Sequence, residues 1–359
     1  MRYFLVANAI YKPSHYRTMS KYRETQRTRQ ISLIKSKSQE LFSGDEGGGK
    51  YNKDSAPSEY ILQHGENNLY KDIREKVVTY FSDNRISWWG SKGPTGHILS
   101  SQIACLNHLF AIREDKQAVL DVLNGLGLGI EFSKVLPIAC DKEPRYYIGF
   151  EVVSKDDHLN EKRPTRGTQC TSVDALIYAV DTSGKRWLIP IEWKYTEFYH
   201  RKDLSNDDRK SESRGSNGRG MERLKRYTNL INTSKQLKSL SHYEGSIYYQ
   251  EPFYQLMRQT LWAENMVNHS ATEDLKAEDY IHIHVVPSAN TPLRDNRFRM
   301  TNNEGMVEDN GGMTATWKGL LQKPDKYVIT TPEALFTPIK ERYAELTDYL
   351  SARYWDIKE

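Results

Sequence analysis

At 359 residues, with 38% hydrophobic and 27% charged side chains, the chain is long enough for roughly two structural units and too apolar for a disordered one. No run approaches the ~18 to 20 uninterrupted apolar residues that a membrane span needs. A net charge of +4 excludes a strongly polyanion-seeking whole, but Arg and Lys cluster in the first forty residues and again between Arg201 and Lys238. Such clusters suit a phosphate backbone and equally a solvated face.

The opening MRYFLVANAIYKPSHYR reads as a first strand and not an export signal, since its only early positive charge is Arg2 and no small-residue cleavage site precedes Lys12. Cys105, Cys140 and Cys170 form an odd, widely spaced set without a CxxC pair. That pattern argues for a reducing, cytoplasmic setting and against a disulfide frame or zinc site. From Lys21 to about Leu41 the spacing of Ile31, Leu33 and Ile34 predicts a helix, followed by the Gly-rich loop SGDEGGGKYNKDSAPS. Gly44-x4-Gly49-Lys50 within it resembles a phosphate-binding loop, but Tyr51 stands where Ser or Thr should hold magnesium.

A helical run is expected from Tyr60 through Phe81, and a second helix from Ser100 or Ser101, capped by a serine and carrying Ile103, Leu106, Leu109 and Phe110 on one stripe. Three β-rich runs follow: Tyr146 to Val153, Thr171 to Val180 and Arg186 to Glu197. Beyond a polar, Ser/Asn/Gly-rich segment that looks mobile, MERLKRYTNLI and PFYQLMRQTLWAENMV carry helical periodicity and YIHIHVVP reads as a strand. A Gly/Asn-rich loop near Asn302 to Gly312 and a final helix near Pro332 to Tyr354 complete the chain. The expected architecture is α/β, a mixed central sheet of about four or five strands flanked by helices. The expected division is a basic N-terminal region over 1–85, a core over 86–300 and a helical extension over 301–359.

Asp181-Thr-Ser-Gly184 between two apolar runs predicts a β-hairpin. If the turn centres on Ser183, Asp174 and Glu192 lie equally far from it and face each other across the strands. A slip of one residue would send one carboxylate to the other side of the sheet. Glu192 and Lys194 are two apart on one strand and share a face. Opposed carboxylates of this kind can hold one hard cation through oxygen, and two acids in apolar strands need a cation or a shared proton. The chemistry that uses such a cluster is phosphodiester hydrolysis, in which Lys194 orients the water and offsets developing charge. The plain alternative is a salt bridge on a solvated face.

The string TSVDALIYAV…WLIPIEWKYTE resembles the catalytic hairpin of PD-(D/E)XK nucleases, in which an acid near the start of one strand precedes E-x-K on the next. ILSSQIACLNHLF, YQLMRQTLWAEN and YIHIHVVPSA resemble further parts of a bacterial restriction-endonuclease-like branch, over roughly Ser87 to Pro292, with weaker similarity around Trp317 to Thr331. The resemblance implies a restriction-endonuclease-like core with Asp174 and Glu192 as metal ligands and Lys194 as the catalytic lysine. It also implies Mg2+ as cofactor, with Mn2+ as a substitute, and DNA as substrate in restriction or phage defence. A homodimer or a defence-system partner protein, and no membrane, complete the expectation. Val173 stands where the family motif has proline.

Glu151 is expected as a third carboxylate if its strand lies beside Asp174, or else as an outward residue. Gln102 on the preceding helix is expected to orient water or phosphate, or to pack with Asn107 and Ser101. Glu197 either extends the cluster or pairs with Arg201 or Lys202. Arg223, Lys225, Arg226 and Arg258 are the candidate nucleic-acid contacts, with a structural ion pair as the alternative for Arg258. Trp88, Trp89 and the tyrosines, among them Tyr11, Tyr16 and Tyr22, offer stacking surfaces or ordinary core. His282 and His284 form an HxH on a strand that suggests a His-rich hydrolase, but no further ligands stand nearby and a half-exposed strand face explains it as well. The rival function is a catalytically silent nucleic-acid-binding or assembly subunit with the same fold.

Overall fold

The computed structural model describes residues 20–88, 92–138, 145–162, 170–199, 202–207, 218–295, 299–301, 307–309 and 311–355. In chain order the helices are α1 (Lys21–Phe42), α2 (Arg74–Asp83), α3 (Ser101–Leu109), α4 (Lys116–Gly125), α5 (Arg219–Thr233), α6 (Phe253–Asn268), α7 (Thr291–Arg294), α8 (Met313–Gly319), α9 (Pro332–Phe336) and α10 (Ala344–Leu350). The strands are β1 (Phe132–Leu136), β2 (Ile148–Val152), β3 (Val173–Asp181), β4 (Arg186–Trp193), β5 (Asp279–Tyr280), β6 (His282–Val285), β7 (Arg299–Thr301), β8 (Val307–Asp309) and β9 (Tyr327–Thr330).

A seven-stranded mixed sheet runs β1-β3-β4-β6-β9, with β2 also on β3 and β5 also on β4. The half around β3 is antiparallel, whereas β4, β6 and β9 are parallel. Because helices cover both faces, β3 and β4 are apolar almost throughout instead of alternating with polar residues. Ala175, Ile177, Ile191 and Ile283 pack on one side with Phe81, Ile103, Val119 and Leu350. Leu176, Leu188 and Tyr280 pack on the other with Tyr227, Leu256, Trp262 and Trp317.

The first of these cores runs from Ile34 to Tyr354, so the expected N-terminal, central and C-terminal regions share one interior. Arg353 closes it. Its guanidinium is fully buried and donates to the Asn68 carbonyl at 2.6 Å. Arg29 of α1 donates to the carbonyls of Arg353 and Ala352 at 2.9 and 2.7 Å.

Several expected elements differ. The run from Tyr60 to Phe81 is helical in its last part, α2, because Asn68 and Asn107 side chains capture backbone groups before it: Asn68 donates to the Thr95 and His97 carbonyls and Asn107 accepts from Tyr70 N–H. The final helix is divided into α9 and α10 by the turn Thr337–Ile339, where Pro338 cannot donate to a helical ladder. The strands β1 and β9 add to the four or five anticipated. The opening strand and most of the polar stretch 200–217 lie outside the described residues. No helix among the described residues is long and apolar enough to cross a membrane.

The Gly44–Gly49 loop is organised by its own anion. Asp45 accepts the backbone N–H groups of Gly47, Gln63 and His64 at 2.9 to 3.1 Å, filling the position a phosphate would take. A Cβ at Gly49 would stand 2.2 Å from the Leu62 carbonyl oxygen, so this glycine serves close chain packing.

Candidate active site

The hairpin has the register expected from its turn. Ala175 pairs with Ile191, and the ladder continues to Val180 with Arg186. Asp181 fixes the turn by accepting Ser183 N–H at 2.8 Å and Lys185 N–H at 3.0 Å, while Gly184 takes the positive φ of 90° that a side chain would resist. Beyond the last pair, Asp174 turns its carboxylate toward β4 and accepts the Trp193 N–H at 2.7 Å. That amide lies between Glu192 and Lys194, so the half-buried Asp174 is brought to the E-x-K segment.

Glu192 is 1% exposed and Lys194 5% exposed, and the two form an ion pair. The Lys194 ammonium also donates to Gln255 Oε1 at 2.7 Å and lies 5.9 Å from the centre of the Tyr199 ring. The second Glu192 oxygen accepts the Gln259 side-chain N–H. Gln255 and Gln259 stand one turn apart on α6, whose apolar residues cover this face of the sheet. A salt bridge on a solvated face is therefore excluded for this strand.

Glu151 is the direct neighbour of Asp174 across β2 and β3, between the pairs Phe150 with Ala175 and Val152 with Val173. Its backbone has φ of +48°, a left-handed conformation that costs a residue with a side chain roughly 1 to 3 kcal/mol. Its carboxylate accepts Gln102 Nε2–H at 2.7 Å and the Ser172 hydroxyl at 3.0 Å. Gln102, Cys105, Glu151 and Asp174 line one small cleft with Phe81, Leu106 and Phe150. Glu197 accepts Tyr195 N–H at 2.7 Å and the Ser101 hydroxyl and adds to the negative charge around Lys194, while Lys202 pairs with Asp207 at 2.8 Å.

Electrostatics follow from this crowding. Burial, then the charges of Glu192 and Glu151, push the Asp174 carboxyl well above the usual carboxylate range, against the pull of Lys194 and the Trp193 amide. For Lys194, burial disfavours the charge, but Glu192 and other acidic neighbours outweigh it and hold the ammonium well above its ordinary value. Burial likewise raises the Cys105 thiol, with Asp174, Glu151 and Glu192 adding to it, so this cysteine is an inert wall of the cleft.

The supporting residues divide. Arg258, half-buried, bonds Glu161 at 3.1 Å and Thr171 Oγ1 at 3.1 Å. This contact fits the structural ion pair of its two readings, because Glu161 is buried and requires a counter-charge. Arg223 bridges the Leu204 carbonyl and Asp207, each at 2.8 Å. Arg226 leans toward Glu222 at 3.8 Å, and Lys225 is exposed on α5. Trp88 stacks on Phe81 at 3.9 Å between ring centres, and Trp89 lies outside the described residues, as do Tyr11 and Tyr16.

His282 and His284 are buried, which corrects the half-exposed strand face. His284 is the register partner of Glu192 on β6, with Nδ1 2.8 Å from the Tyr327 hydroxyl. Burial pushes His282 down to about 4, so both rings face the carboxylate side as neutral groups. Among the described residues, no three His, Cys, Asp or Glu side chains form a ready-made metal cage.

Residues 30–355 match the family described as restriction endonuclease associating with ARP. The chain belongs to this family. No curated protein and no solved structure matches it. The mixed sheet with flanking helices agrees with a restriction-endonuclease-like fold; Asp174 lines the cleft beside α3, and Glu192 and Lys194 meet Gln259 and Gln255 of α6. Gln255 and Gln259 went without a role in the sequence. Their signal was two glutamines one turn apart on a helix, a spacing that puts both amides on one face, and buried Gln259 needs a partner.

Proposed function

We propose that the chain is a divalent-metal-dependent nuclease that hydrolyses DNA phosphodiester bonds, with Asp174, Glu192 and Lys194 as its catalytic set. The observation that supports this reading is the Asp174 carboxylate on the Trp193 amide, the backbone group between the acid and the lysine of β4. The donor set is all oxygen, which suits Mg2+ and also Mn2+, and magnesium is commonly held by one or two carboxylates together with substrate phosphate instead of a full protein cage. The raised Asp174 carboxyl is the mark of a site short of positive charge. Asp174 and Glu192 would hold the ion, and Glu151 stands beside them as a further acid. The bound ion supplies polarisation of the phosphoryl oxygen and a more acidic water.

The chain's own residues have distinct tasks. Lys194 places a positive charge where the pentavalent phosphorane gains negative charge and donates an N–H toward the water or the phosphate. Gln102 holds Glu151, and through it the acidic side of the cleft, in one orientation. Lys225, with Arg226 and Arg223 behind it, offers α5 as a phosphate contact next to the hairpin. The family description names an association with ARP, and we propose that a partner protein works with this nuclease in restriction or phage defence. Cutting both strands would call for two copies related by symmetry.

A second reading has an observation of its own. Glu192 already has Lys194 and Gln259 as partners, which is how a silent DNA-binding or assembly subunit would keep the fold without a cation. Plasmid DNA decides between them. The nuclease cuts with Mg2+, stops with a chelator and is abolished by Lys194→Ala and Asp174→Asn. Wild type that binds DNA and leaves it intact with Mg2+, Mn2+ and its partner protein establishes the silent subunit.

A further inference from the structure

Glu192 has its charge compensated from within the chain, although its Oε1 has an ion-pair partner and no hydrogen bond. One oxygen faces the Lys194 ammonium and the other the Gln259 amide. A carboxylate 1% exposed requires a positive partner, and Lys194 is that partner. A divalent cation on the same carboxylate brings the same compensation, and two positive charges at one buried acid repel. The ammonium, however, has a second acceptor already in place, Gln255 Oε1 at 2.7 Å.

We propose that Lys194 competes with the incoming divalent cation for Glu192, and that Gln255 is the positioning residue that receives the ammonium when the cation enters. This rests on the nuclease reading only in taking Glu192 as a cation ligand. Lys194 thereby balances the Glu192 carboxylate while no cation is bound, and Gln255 limits how strongly it opposes loading. Gln259 holds the carboxylate in place during the exchange.

Mn2+ titration of the full chain without DNA, followed by the loss of the free-ion electron paramagnetic resonance signal, tests this. Close charge pairs couple by about 1.5 kcal/mol or more, so Lys194→Met should bind Mn2+ roughly tenfold more tightly than wild type. Gln255→Leu should bind more weakly than wild type, and the double variant should match Lys194→Met, because with no ammonium there is nothing to receive. A purely structural Gln255 would instead weaken binding equally with and without Lys194, and that result overturns the proposal. So does Lys194→Met binding no more tightly, or no Mn2+ binding by any variant. If Lys194→Met loses its cooperative melt, Gln255→Glu carries the test: it draws the ammonium away, tightens Mn2+, and loses the gain when Glu192→Gln is added. Failure to tighten overturns the proposal. Wild type that follows this pattern yet leaves plasmid intact removes the nuclease reading and leaves the competition standing. Plasmid cutting without the pattern does the reverse.

Discussion

Asp174→Asn separates stability from activity. The side chain keeps its shape and its carbonyl oxygen still accepts the Trp193 N–H, so the variant removes charge and little else. In wild type that charge is unfavourable, since burial and the nearby Glu192 and Glu151 raise the folded-state pKa. Each unit of such a shift corresponds to about 1.4 kcal/mol. The raised value is what remains after the attraction of Lys194, so the variant is expected to be more stable than wild type at pH 8 in chelator, with a higher Tm. The sign follows from proton binding. Between the unfolded value near 4 and the raised folded value, the folded state holds a proton that the unfolded state has lost, so wild-type stability falls as pH rises through this window. The advantage of Asp174→Asn therefore grows as pH rises from about 4 toward the raised folded value and vanishes below about pH 4. Urea melts at several pH values measure it, alongside plasmid cleavage, which should be lost. Mg2+ should then stabilise wild type, by about 2.7 kcal/mol at a hundredfold excess over its Kd, and the variant much less. A variant less stable than wild type at pH 8 in chelator would refute the argument that these acids repel.

Arg258→Met leaves the buried Glu161 without its ion-pair partner and should cost about 3 kcal/mol in urea denaturation. DNA affinity of the folded variant should be unchanged, and a selective loss of affinity would restore Arg258 as a phosphate contact. Lys225→Ala should lower the slope of log DNA affinity against log salt by about one, with equal effect on unrelated sequences. An unchanged slope removes α5 from the interface. His108, buried with Nε2 accepting the Trp355 indole N–H at 2.9 Å, is pushed down to about 3 mainly by burial. Its depressed folded value means stability is full above about pH 6.5 and drains as pH falls toward 3. His108→Phe should start less stable at pH 8 but show a flatter acid limb in thermal melts, and an identical limb would assign acid loss to other groups.

The hairpin was legible because a strand has period two and a turn has a chemistry. Asp181 and Gly184 fixed the centre of symmetry, and the pairing of Ala175 with Ile191 follows with no freedom left. Glu151 came out as a neighbour of Asp174 for the same reason, while its φ of +48° has no signature in a sequence, glutamate being an unlikely occupant of that region. The short strand FSKVL carries its apolar residues at Phe132, Val135 and Leu136, with a register shift between Phe132 and Lys134, so no alternation announced it. Arg258 shows the opposite limit. A basic residue on an apolar helix face has two outcomes, phosphate or buried acid, and what decides between them is Glu161, 97 residues away.

That limit bears on the site itself. Local pattern sets Asp174 opposite the strand of Glu192 and Lys194, but the partners of that acid and lysine come from α6, 61 to 67 residues later. Without Gln255 and Gln259, Lys194 and Glu192 would be a plain buried ion pair, a poor source of stability and a poor cation site, because each charge has no better partner than the other. With them, each member of the pair has a neutral dipole to fall back on, so the pair can open without leaving a bare charge in the core. Opening is what any chemistry at this carboxylate requires: an acid permanently neutralised by its own lysine can neither take a cation nor spare that lysine for a phosphate. On the proposed reading, the two amides of α6 are what separate a structural salt bridge from a site that a cation could enter.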